Sequence, residues 1–296
     1  MLMNDTRIET LMEALPYLHD FKNKTIVVKY GGNAMLNDEI KNKVLGDIVF
    51  LQRAGMRPVV VHGGGPEITA MLMQAGKKSQ FVSGLRVTDA ESVGIAEMAL
   101  VGKINTDLVA RLNMMGGCAV GLNGKDASLT RAKKHLADVY ENGEVNLVDI
   151  GYVGDVEKIN TSLINVLLDN GFIPVIAPTG VGQSGETYNI NADSVAGEIA
   201  GALKAEKLLV LTDVKGIYSD YRDESSFIST LSFEKAQELI IRGKIDGGMI
   251  PKVRACITAL SGGAKKTHII DGRTEHTILM EIFSDEGVGT EVVKEI

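Results

Sequence analysis

Short β-branched runs that end in glycines constrain the fold of this chain most strongly. The first run, Ile26 to Val28, is followed by Lys29 and then by Gly31 and Gly32. A short apolar run of this kind predicts a buried strand that leads into a tight loop. Lys29 would then project from the carboxyl edge of the sheet, where open α/β sheets bind ligands. Because glycines let backbone amides approach an anion, we expect a phosphate site here; the alternative is a surface lysine beside an ordinary turn.

The same pattern recurs along the chain and alternates with helical segments. Residues 57–61 form a second β-branched run that feeds His62 and three glycines, and Pro66 suits the first turn of the following helix. His62 could act as a base, but a histidine at a strand end more often forms a local hydrogen bond, and we favour that interpretation. Further elements are strands at 119–122, 173–177, 207–211, 267–270 and 291–293, a β-hairpin at 145–156, and helices at 38–54, 89–115, 161–170 (capped by Thr161), 194–203, 233–241 and 276–283. This alternation predicts a mostly parallel sheet with helices on both faces.

An amphipathic helix is expected at residues 9–21, ahead of the first core strand. Pro16 lies in its middle and should kink or break it. Its apolar face consists of Leu11, Met12, Leu15 and Leu18. The core strands do not need this helix, so its apolar face requires a partner, which is either the body of the same chain or another subunit.

Arg86 is the main candidate for binding a substrate. It lies in a segment, residues 81–89, whose partial alternation and glycine predict a hairpin or lid over the glycine loops. The guanidinium group could hold a substrate carboxylate through two hydrogen bonds. The alternative is a surface salt bridge with an acid such as Asp89.

Polar groups also gather at two predicted helix starts. At the first of them lie Asn189, Asn191 and Asp193. One of these caps the helix, and we expect that at least one other faces a ligand. At the second, Gly247 and Gly248 precede a helix with Lys252 in its first turn, where a cation opposes the helix dipole and therefore hints at function.

Composition excludes several classes of protein. The chain has 296 residues and a net charge of −7, which disfavours a nucleic-acid partner held by bulk electrostatics. No apolar run is long enough to predict a membrane span, and no signal peptide is evident. Cys118 and Cys256 have no metal-type spacing and are expected to be reduced thiols in a cytoplasmic protein. Neither a P-loop nor a dinucleotide-binding glycine fingerprint follows the first strand.

Six segments in this order resemble the amino acid kinase family, and within it the N-acetylglutamate kinases. The resemblance covers nearly the whole chain from Lys29 onward. The segments are residues 29–34 (KYGGNA), 62–67 (HGGGPE), 84–89 (GLRVTD), 189–193 (NINAD), 211–217 (LTDVKGI) and 247–252 (GGMIPK). The resemblance implies a three-layer αβα sandwich with an N-terminal helix at 1–24, an N-acetylglutamate-binding and dimerisation lobe at 25–185, and an ATP-binding lobe at 186–296.

The resemblance also implies a reaction and the residues that perform it. The γ-phosphoryl group of ATP would pass to the side-chain carboxylate of N-acetyl-L-glutamate, with Mg²⁺ carried by the nucleotide and no metal ligands from the chain. The catalytic residues would be Lys29, Lys252 and Asp193. The acetylglutamate site would contain Gly64, Gly65, Arg86 and Asn189. The nucleotide site would contain Gly31, Gly32, Asp213, Gly216, Tyr218, Gly248 and Met249.

The N-terminal helix carries a further implication of the resemblance. Family members with this extension are hexamers, trimers of dimers, that L-arginine inhibits. The arginine site would contain Tyr17, His268, Glu281 and Gly287. Two alternatives remain, a related kinase acting on glutamate, aspartate or carbamate, and a non-catalytic amino-acid sensor; a dehydrogenase is disfavoured because the glycine fingerprint is missing.

Overall fold

A computed structural model describes residues 5–35, 37–141, 144–220, 222–245, 247–285 and 287–295. The first four residues of the predicted N-terminal segment therefore lie outside the described part. The strands are β1 (Thr25–Tyr30), β2 (Arg57–His62), β3 (Phe81–Val82), β4 (Leu85–Arg86), β5 (Ala119–Leu122), β6 (Thr130–Glu141), β7 (Glu144–Ile159), β8 (Ile173–Ile176), β9 (Thr179–Val181), β10 (Thr187–Asn189), β11 (Lys207–Thr212), β12 (Ile217–Tyr218), β13 (Phe227–Ile228), β14 (Thr230–Ser232), β15 (Lys266–Asp271) and β16 (Thr290–Val293).

Helices connect most of these strands. They are α1 (Asp5–Asp20), α2 (Asp38–Arg53), α3 (Gly65–Gln74), α4 (Ala90–Glu97), α5 (Thr106–Met114), α6 (Ser162–Asp169), α7 (Ala192–Ala202), α8 (Phe233–Ile241), α9 (Ile250–Gly262) and α10 (Thr277–Ile282). A π-helical segment, Met98–Asn105, joins α4 to α5. The long helix predicted at 89–115 is therefore present, and Asp89 caps it as the N-cap residue, but two turns of it are wound as a π-helix.

Eight strands form the central sheet in the order β14-β16-β15-β11-β1-β2-β8-β5. The six from β15 to β5 run parallel, whereas β16 is antiparallel to β15 and β14 runs with β16. The prediction of a mainly parallel sheet is confirmed. Because β1 lies between β11 and β2, the loops after these three strands meet at the same carboxyl edge.

The residues of β1 alternate between two hydrophobic cores. Val27 packs into one core with α6, α7, α8 and α9, while Ile26 and Val28 pack into the other with α2, α3, α5 and α10. Successive side chains of a strand point to opposite faces, so a continuous apolar strand needs helices on both. This arrangement is the predicted three-layer α/β sandwich. No helix in the described ranges is long and apolar enough to cross a bilayer.

A second sheet contains β6, β7, β9 and β10. The prediction of a hairpin within 145–156 is wrong, because that segment is part of one long strand, β7, whose hairpin partner is β6. Gly151 lies where β7 forms a β-bridge with Thr88. A glycine occurs there because the Thr88 backbone comes too close for a Cβ atom, and not because the chain turns. The β3–β4 hairpin packs on this sheet, as its apolar residues contact Ile150 and Val153. The hairpin is thereby fixed over the glycine loops.

Two details of the helices differ from expectation. Helix α1 runs through Pro16 without a break, because a proline costs one backbone hydrogen bond and the carbonyl concerned belongs to Met12, a residue 62% exposed to water. Thr161 is the N-cap residue of α6, but its side chain does not cap. Asn160 accepts a hydrogen bond from the Ser162 amide instead, at 3.2 Å.

The division of the chain into lobes at 185/186 stays a prediction.

Candidate active site

Two lysines share one carboxylate at the carboxyl edge of the sheet. Lys29 Nζ lies 2.8 Å from Asp193 Oδ1, and Lys252 Nζ lies 3.4 Å from Asp193 Oδ2. Lys29 comes from β1, Asp193 from the first turn of α7 and Lys252 from the first turn of α9. Asn191 caps α7 by accepting hydrogen bonds from the amides of Asp193 and Ser194. The structure thus brings together the three residues predicted as catalytic.

The charges in this cluster leave an excess of one positive charge. Asp193 is 5% exposed and Lys29 is 6% exposed, so the pair is shielded from water. Burial alone would raise the pKa of Asp193, but the two ammonium groups outweigh it and hold the pKa below its usual value. The carboxylate is therefore ionised at neutral pH, and the cluster suits an anionic ligand.

Two cavities meet at Lys29 and Gly32. The larger has a volume of about 480 Å³ and also reaches Lys252. All seven residues predicted for the nucleotide line it, namely Gly31, Gly32, Asp213, Gly216, Tyr218, Gly248 and Met249. The smaller has a volume of about 280 Å³ and reaches Asp193. The four residues predicted for acetylglutamate line it, namely Gly64, Gly65, Arg86 and Asn189.

Arg86 is held in place by neutral oxygens. One η nitrogen donates to Thr69 Oγ1 at 2.8 Å and to the Gly65 carbonyl at 3.0 Å, and the other donates to Ser79 Oγ. Burial lowers the pKa of Arg86, and no carboxylate of the described residues pairs with it. A buried cation without a counter-charge, at the wall of a cavity, is suited to bind an anion.

The alternative interpretation of Arg86 as a surface ion pair does not hold. Asp89, the expected partner, lies 2.8 Å from Lys77 and accepts the Ser92 amide at 2.7 Å. The Phe81 ring instead covers the guanidinium, with 4.8 Å between the Arg86 Cζ atom and the ring centroid.

His62 lies outside both cavities. It is fully buried, and its Nδ1 atom is 2.9 Å from the Gly63 carbonyl oxygen. Burial lowers the pKa of His62 to about 4, so the imidazole is neutral at pH 7. The geometry agrees with a local hydrogen-bonding role and not with a base in contact with a ligand.

A third cavity, of about 400 Å³, lies between α1, α10 and β15. The four residues predicted for arginine line it, namely Tyr17, His268, Glu281 and Gly287. Glu281 Oε1 is 2.8 Å from Lys207 Nζ and 3.0 Å from His268 Nε2. Burial alone would raise the pKa of Glu281, but these two partners outweigh it and lower the pKa to about 2. The Tyr17 hydroxyl donates to Asp285 at 2.6 Å, which ties α1 to this cavity.

Sequence reasoning missed several residues around these cavities. Thr69 and Ser79 hold Arg86, but isolated hydroxyl residues carry no recognisable signal. Lys244 lines the nucleotide cavity, and its position three residues before the glycine pair at 247 and 248 could have indicated it. Within the described ranges, no group of three or more His, Cys, Asp or Glu side chains is arranged to hold a metal ion.

Comparisons with known proteins find similar chains over nearly the whole length of this one. The model of the amino acid kinase family matches residues 24–271. The acetylglutamate kinase of Moorella thermoacetica is 57% identical over 283 residues, which is 96% of each chain. The N-acetylglutamate synthase of Neisseria gonorrhoeae, in complex with coenzyme A and N-acetyl-glutamate, has a TM-score of 0.82 and 28% identity over 98% of this chain. Its complex with coenzyme A and L-arginine has a TM-score of 0.79 and 26% identity over 97% of this chain. This chain spans 64% and 65% of those synthase chains.

Proposed function

The chain belongs to the amino acid kinase family and, within it, to the acetylglutamate kinases, and we propose that it transfers the γ-phosphoryl group of ATP to the side-chain carboxylate of N-acetyl-L-glutamate. The products are N-acetyl-L-glutamyl 5-phosphate and ADP, and the reaction is the second step of arginine biosynthesis. The observation that carries the proposal is the meeting of two cavities at Lys29, beside a buried Asp193 that also pairs with Lys252. Two free cysteines support a cytoplasmic location, where thiols stay reduced.

The chemistry asks for positive charge and not for a base. A glutamate side-chain carboxylate has a pKa of about 4.3 and is already ionised at neutral pH, so the nucleophile needs no deprotonation. Catalysis then consists of aligning two anions and stabilising the charge on the transferred group. Lys29 approaches the junction from the sheet and Lys252 from α9, and Asp193 holds both ammonium groups toward the same point.

The positions of the remaining predicted residues support the proposal. Arg86 would hold a carboxylate of the acetylated amino acid, since its guanidinium faces the smaller cavity with no acidic partner among the described residues. Asn189 lines the same cavity and supplies an amide for the acetylated backbone. The amides of Gly31, Gly32 and Gly64 would donate to phosphoryl oxygens. Mg²⁺ carried by the nucleotide would supply additional positive charge.

The decisive experiment measures ADP release from MgATP with N-acetylglutamate, and in parallel with glutamate, aspartate, or bicarbonate plus ammonia. Turnover on N-acetylglutamate alone is the expected result. Activity only on another acceptor would refute the assignment of Arg86 and Asn189, and no activity on any acceptor would favour the amino-acid sensor. Lys252→Ala should lower kcat by about 100- to 1,000-fold, with a smaller change in substrate binding, because a contact made in the transition state is lost.

We further propose that L-arginine inhibits this kinase from the third cavity. The cavity collects the carboxylates of Glu206, Glu281, Asp285 and Glu291. These four carboxylates outnumber Lys207 and Lys266 in the same lining, and the resulting excess of negative charge suits a guanidinium group. The buried His268 Nδ1 has no hydrogen-bond partner within the described ranges. The arginine-bound synthase of similar fold supports the ligand assignment. Because Glu281 already pairs with Lys207 and His268, the guanidinium would meet the more exposed carboxylates of the cavity.

A hexamer built as a trimer of dimers is part of the same proposal. Helix α1 exposes an apolar stripe that the described chain does not cover, with Leu11 at 68% and Met12 at 62% exposure. Such a stripe needs a partner helix. Deleting residues 1–21 should leave an active dimer that ignores arginine. Leu11→Glu is the sharper test, since it should break the hexamer while leaving Tyr17 in the arginine cavity; a Leu11→Glu variant that stays hexameric in light scattering would contradict the role of the stripe.

A further inference from the structure

A chain of hydrogen bonds runs from the π-helical segment to the glycine loop after β2. Asn105, the last residue of that segment, donates from Nδ2 to the Val175 carbonyl at 2.8 Å and contacts His62 Nε2 at 3.1 Å. His62 Nδ1 in turn contacts the Gly63 carbonyl at 2.9 Å. His62 is fully buried and Asn105 is 4% exposed. The Asn105 side chain fits only because Gly121 has no Cβ atom, which would collide with Asn105 Oδ1.

These contacts fix which nitrogen of His62 carries the proton. The Val175 carbonyl can only accept a hydrogen bond, so the Asn105 atom that faces it must be the NH₂ group. The second hydrogen of this group points at His62 Nε2, which must therefore accept. A neutral imidazole that accepts at Nε2 carries its proton on Nδ1, and that N–H donates to the Gly63 carbonyl. Burial keeps the ring in the neutral form that this arrangement needs.

The same contacts fix the direction of the next backbone amide. The N–H and C=O groups of a trans peptide point in opposite directions. Since the Gly63 carbonyl turns toward the buried imidazole, the Gly64 N–H must point away from it. The cavity that receives the acetylated substrate is lined by Gly63, Gly64 and Gly65 but not by His62, so it lies on the side to which this N–H points. Among the described residues, the Gly64 amide donates a hydrogen bond to no other group.

We propose that His62 and Asn105 are positioning residues, which aim the Gly64 amide at the phosphoryl group during transfer. The inference rests on the proposed function only for the identity of that group. Removing one hydrogen-bond donor from an oxyanion site costs about 100- to 1,000-fold in kcat. The chain of hydrogen bonds from Asn105 through His62 to the Gly63 carbonyl, called the relay below, orients this donor but does not supply it. Loss of the relay should therefore lower kcat by about 10- to 100-fold. The KM for MgATP should not change, because neither residue lines the nucleotide cavity.

Three substitutions test the relay through kinetics. His62→Phe keeps an aromatic ring but removes the donor, and His62→Asn keeps an N–H donor near the position of Nδ1. We expect a 10- to 100-fold loss of kcat in His62→Phe and a substantial recovery in His62→Asn. Asn105→Leu leaves His62 in place but no longer determines which ring nitrogen carries the proton, and it should also lower kcat. His135→Phe is the matched control; this histidine pairs with Asp155 in the long hairpin and its loss should leave kcat unchanged.

The tautomer itself provides a readout that does not depend on the substrate. Ring ¹⁵N chemical shifts of the five histidines, with His62 assigned from the His62→Asn spectrum, should report a neutral Nδ1–H ring at pH 7 that becomes a tautomer mixture in Asn105→Leu. An Nε2–H or protonated His62 in the unmodified protein would overturn the relay, as would unchanged kcat in His62→Phe or in Asn105→Leu. If His62→Phe does not fold, Asn105→Leu decides by both measurements. If the protein does not phosphorylate N-acetylglutamate, the proposed function fails while the ring spectra still decide the relay.

Discussion

Replacing Asp193 with asparagine removes a single negative charge from between two ammonium groups and keeps the shape of the side chain. At an effective dielectric constant of about 20, the 2.8 Å contact with Lys29 is worth about 6 kcal/mol of gross attraction, and the 3.4 Å contact with Lys252 about 5 kcal/mol. Burial of the charged groups offsets most of this attraction. Removing one partner from a buried ion pair leaves the other charge uncompensated and typically costs about 3–5 kcal/mol, which is the expected drop in the free energy of unfolding.

Urea unfolding at several pH values measures this drop. Because the pKa of Asp193 is lowered in the folded protein, its stabilisation is fully present above its unfolded pKa of about 3.9 and disappears as the pH falls through the folded value. The difference between the unmodified protein and Asp193→Asn should therefore be constant near pH 7 and shrink below about pH 4. Asp149→Asn is the matched control, since Asp149 forms an equally short but exposed pair with Lys134 and its loss should hardly change stability.

Kinetics of the same variant separate charge from orientation. Asp193→Asn makes the junction more positive, so the KM for MgATP should stay equal or fall. The kcat should fall by about 100-fold or more, because Lys29 and Lys252 lose the group that holds them toward one point. A variant as stable as the unmodified protein, or one with unchanged kcat, would refute the reasoning about this cluster.

Three further substitutions test other parts of the site. Arg86→Met should raise the KM for N-acetylglutamate by about 10- to 150-fold, because losing a hydrogen bond to a charged group costs about 1.5–3 kcal/mol. The KM for MgATP should not change, and equal changes in both constants would contradict the role of Arg86 in holding the substrate carboxylate. Glu281→Gln should lower the free energy of unfolding by about 3–5 kcal/mol at pH 7. Because the pKa of Glu281 is about 2 in the folded protein, this difference between variant and unmodified protein should shrink as the pH falls from about 4.3 toward 2, and urea unfolding at several pH values measures it. Gly64→Ala should lose about 1–3 kcal/mol of stability and much of its kcat, because the added methyl group collides with the end of the Ile104 side chain and lies 2.8 Å from that of Leu100. A variant with normal urea unfolding and turnover would show that these two buried side chains can shift.

The central sheet was predictable because its parallel strands are short apolar runs, and at least one helical pattern separates each of them from the next along the chain. Val27 and Val28 already imply two covered faces, since adjacent strand residues point to opposite sides. The junction of the cavities follows from the same logic. Parallel strands place their carboxyl ends at one edge, so the glycines after β1 and β2 had to meet there.

The contacts that hold the site were not predictable, because they join residues far apart in the chain. Asn105 and His62 are separated by 43 positions, and the π-helical winding that precedes Asn105 leaves no periodic signal in the sequence. The long hairpin was misassigned for a related reason. Its glycine at 151 looks like a turn residue but serves a close approach to Thr88, a contact set by tertiary structure.

The chemistry of the proposed reaction explains why the conspicuous histidine of the glycine loop is buried. A carboxylate nucleophile needs no proton removed, and an imidazolium beside it would hydrogen-bond the attacking oxygen and weaken it as a nucleophile. Two anions must nevertheless approach each other, and the fixed charges of Lys29, Lys252 and Arg86 exceed that of Asp193 by two. The positive charge thus comes from two ammonium groups and a guanidinium group, while His62, neutral with a pKa of about 4, contributes direction and not charge. Burying it under the loop keeps a titratable ring out of the reaction and lets it determine where the loop's amide points.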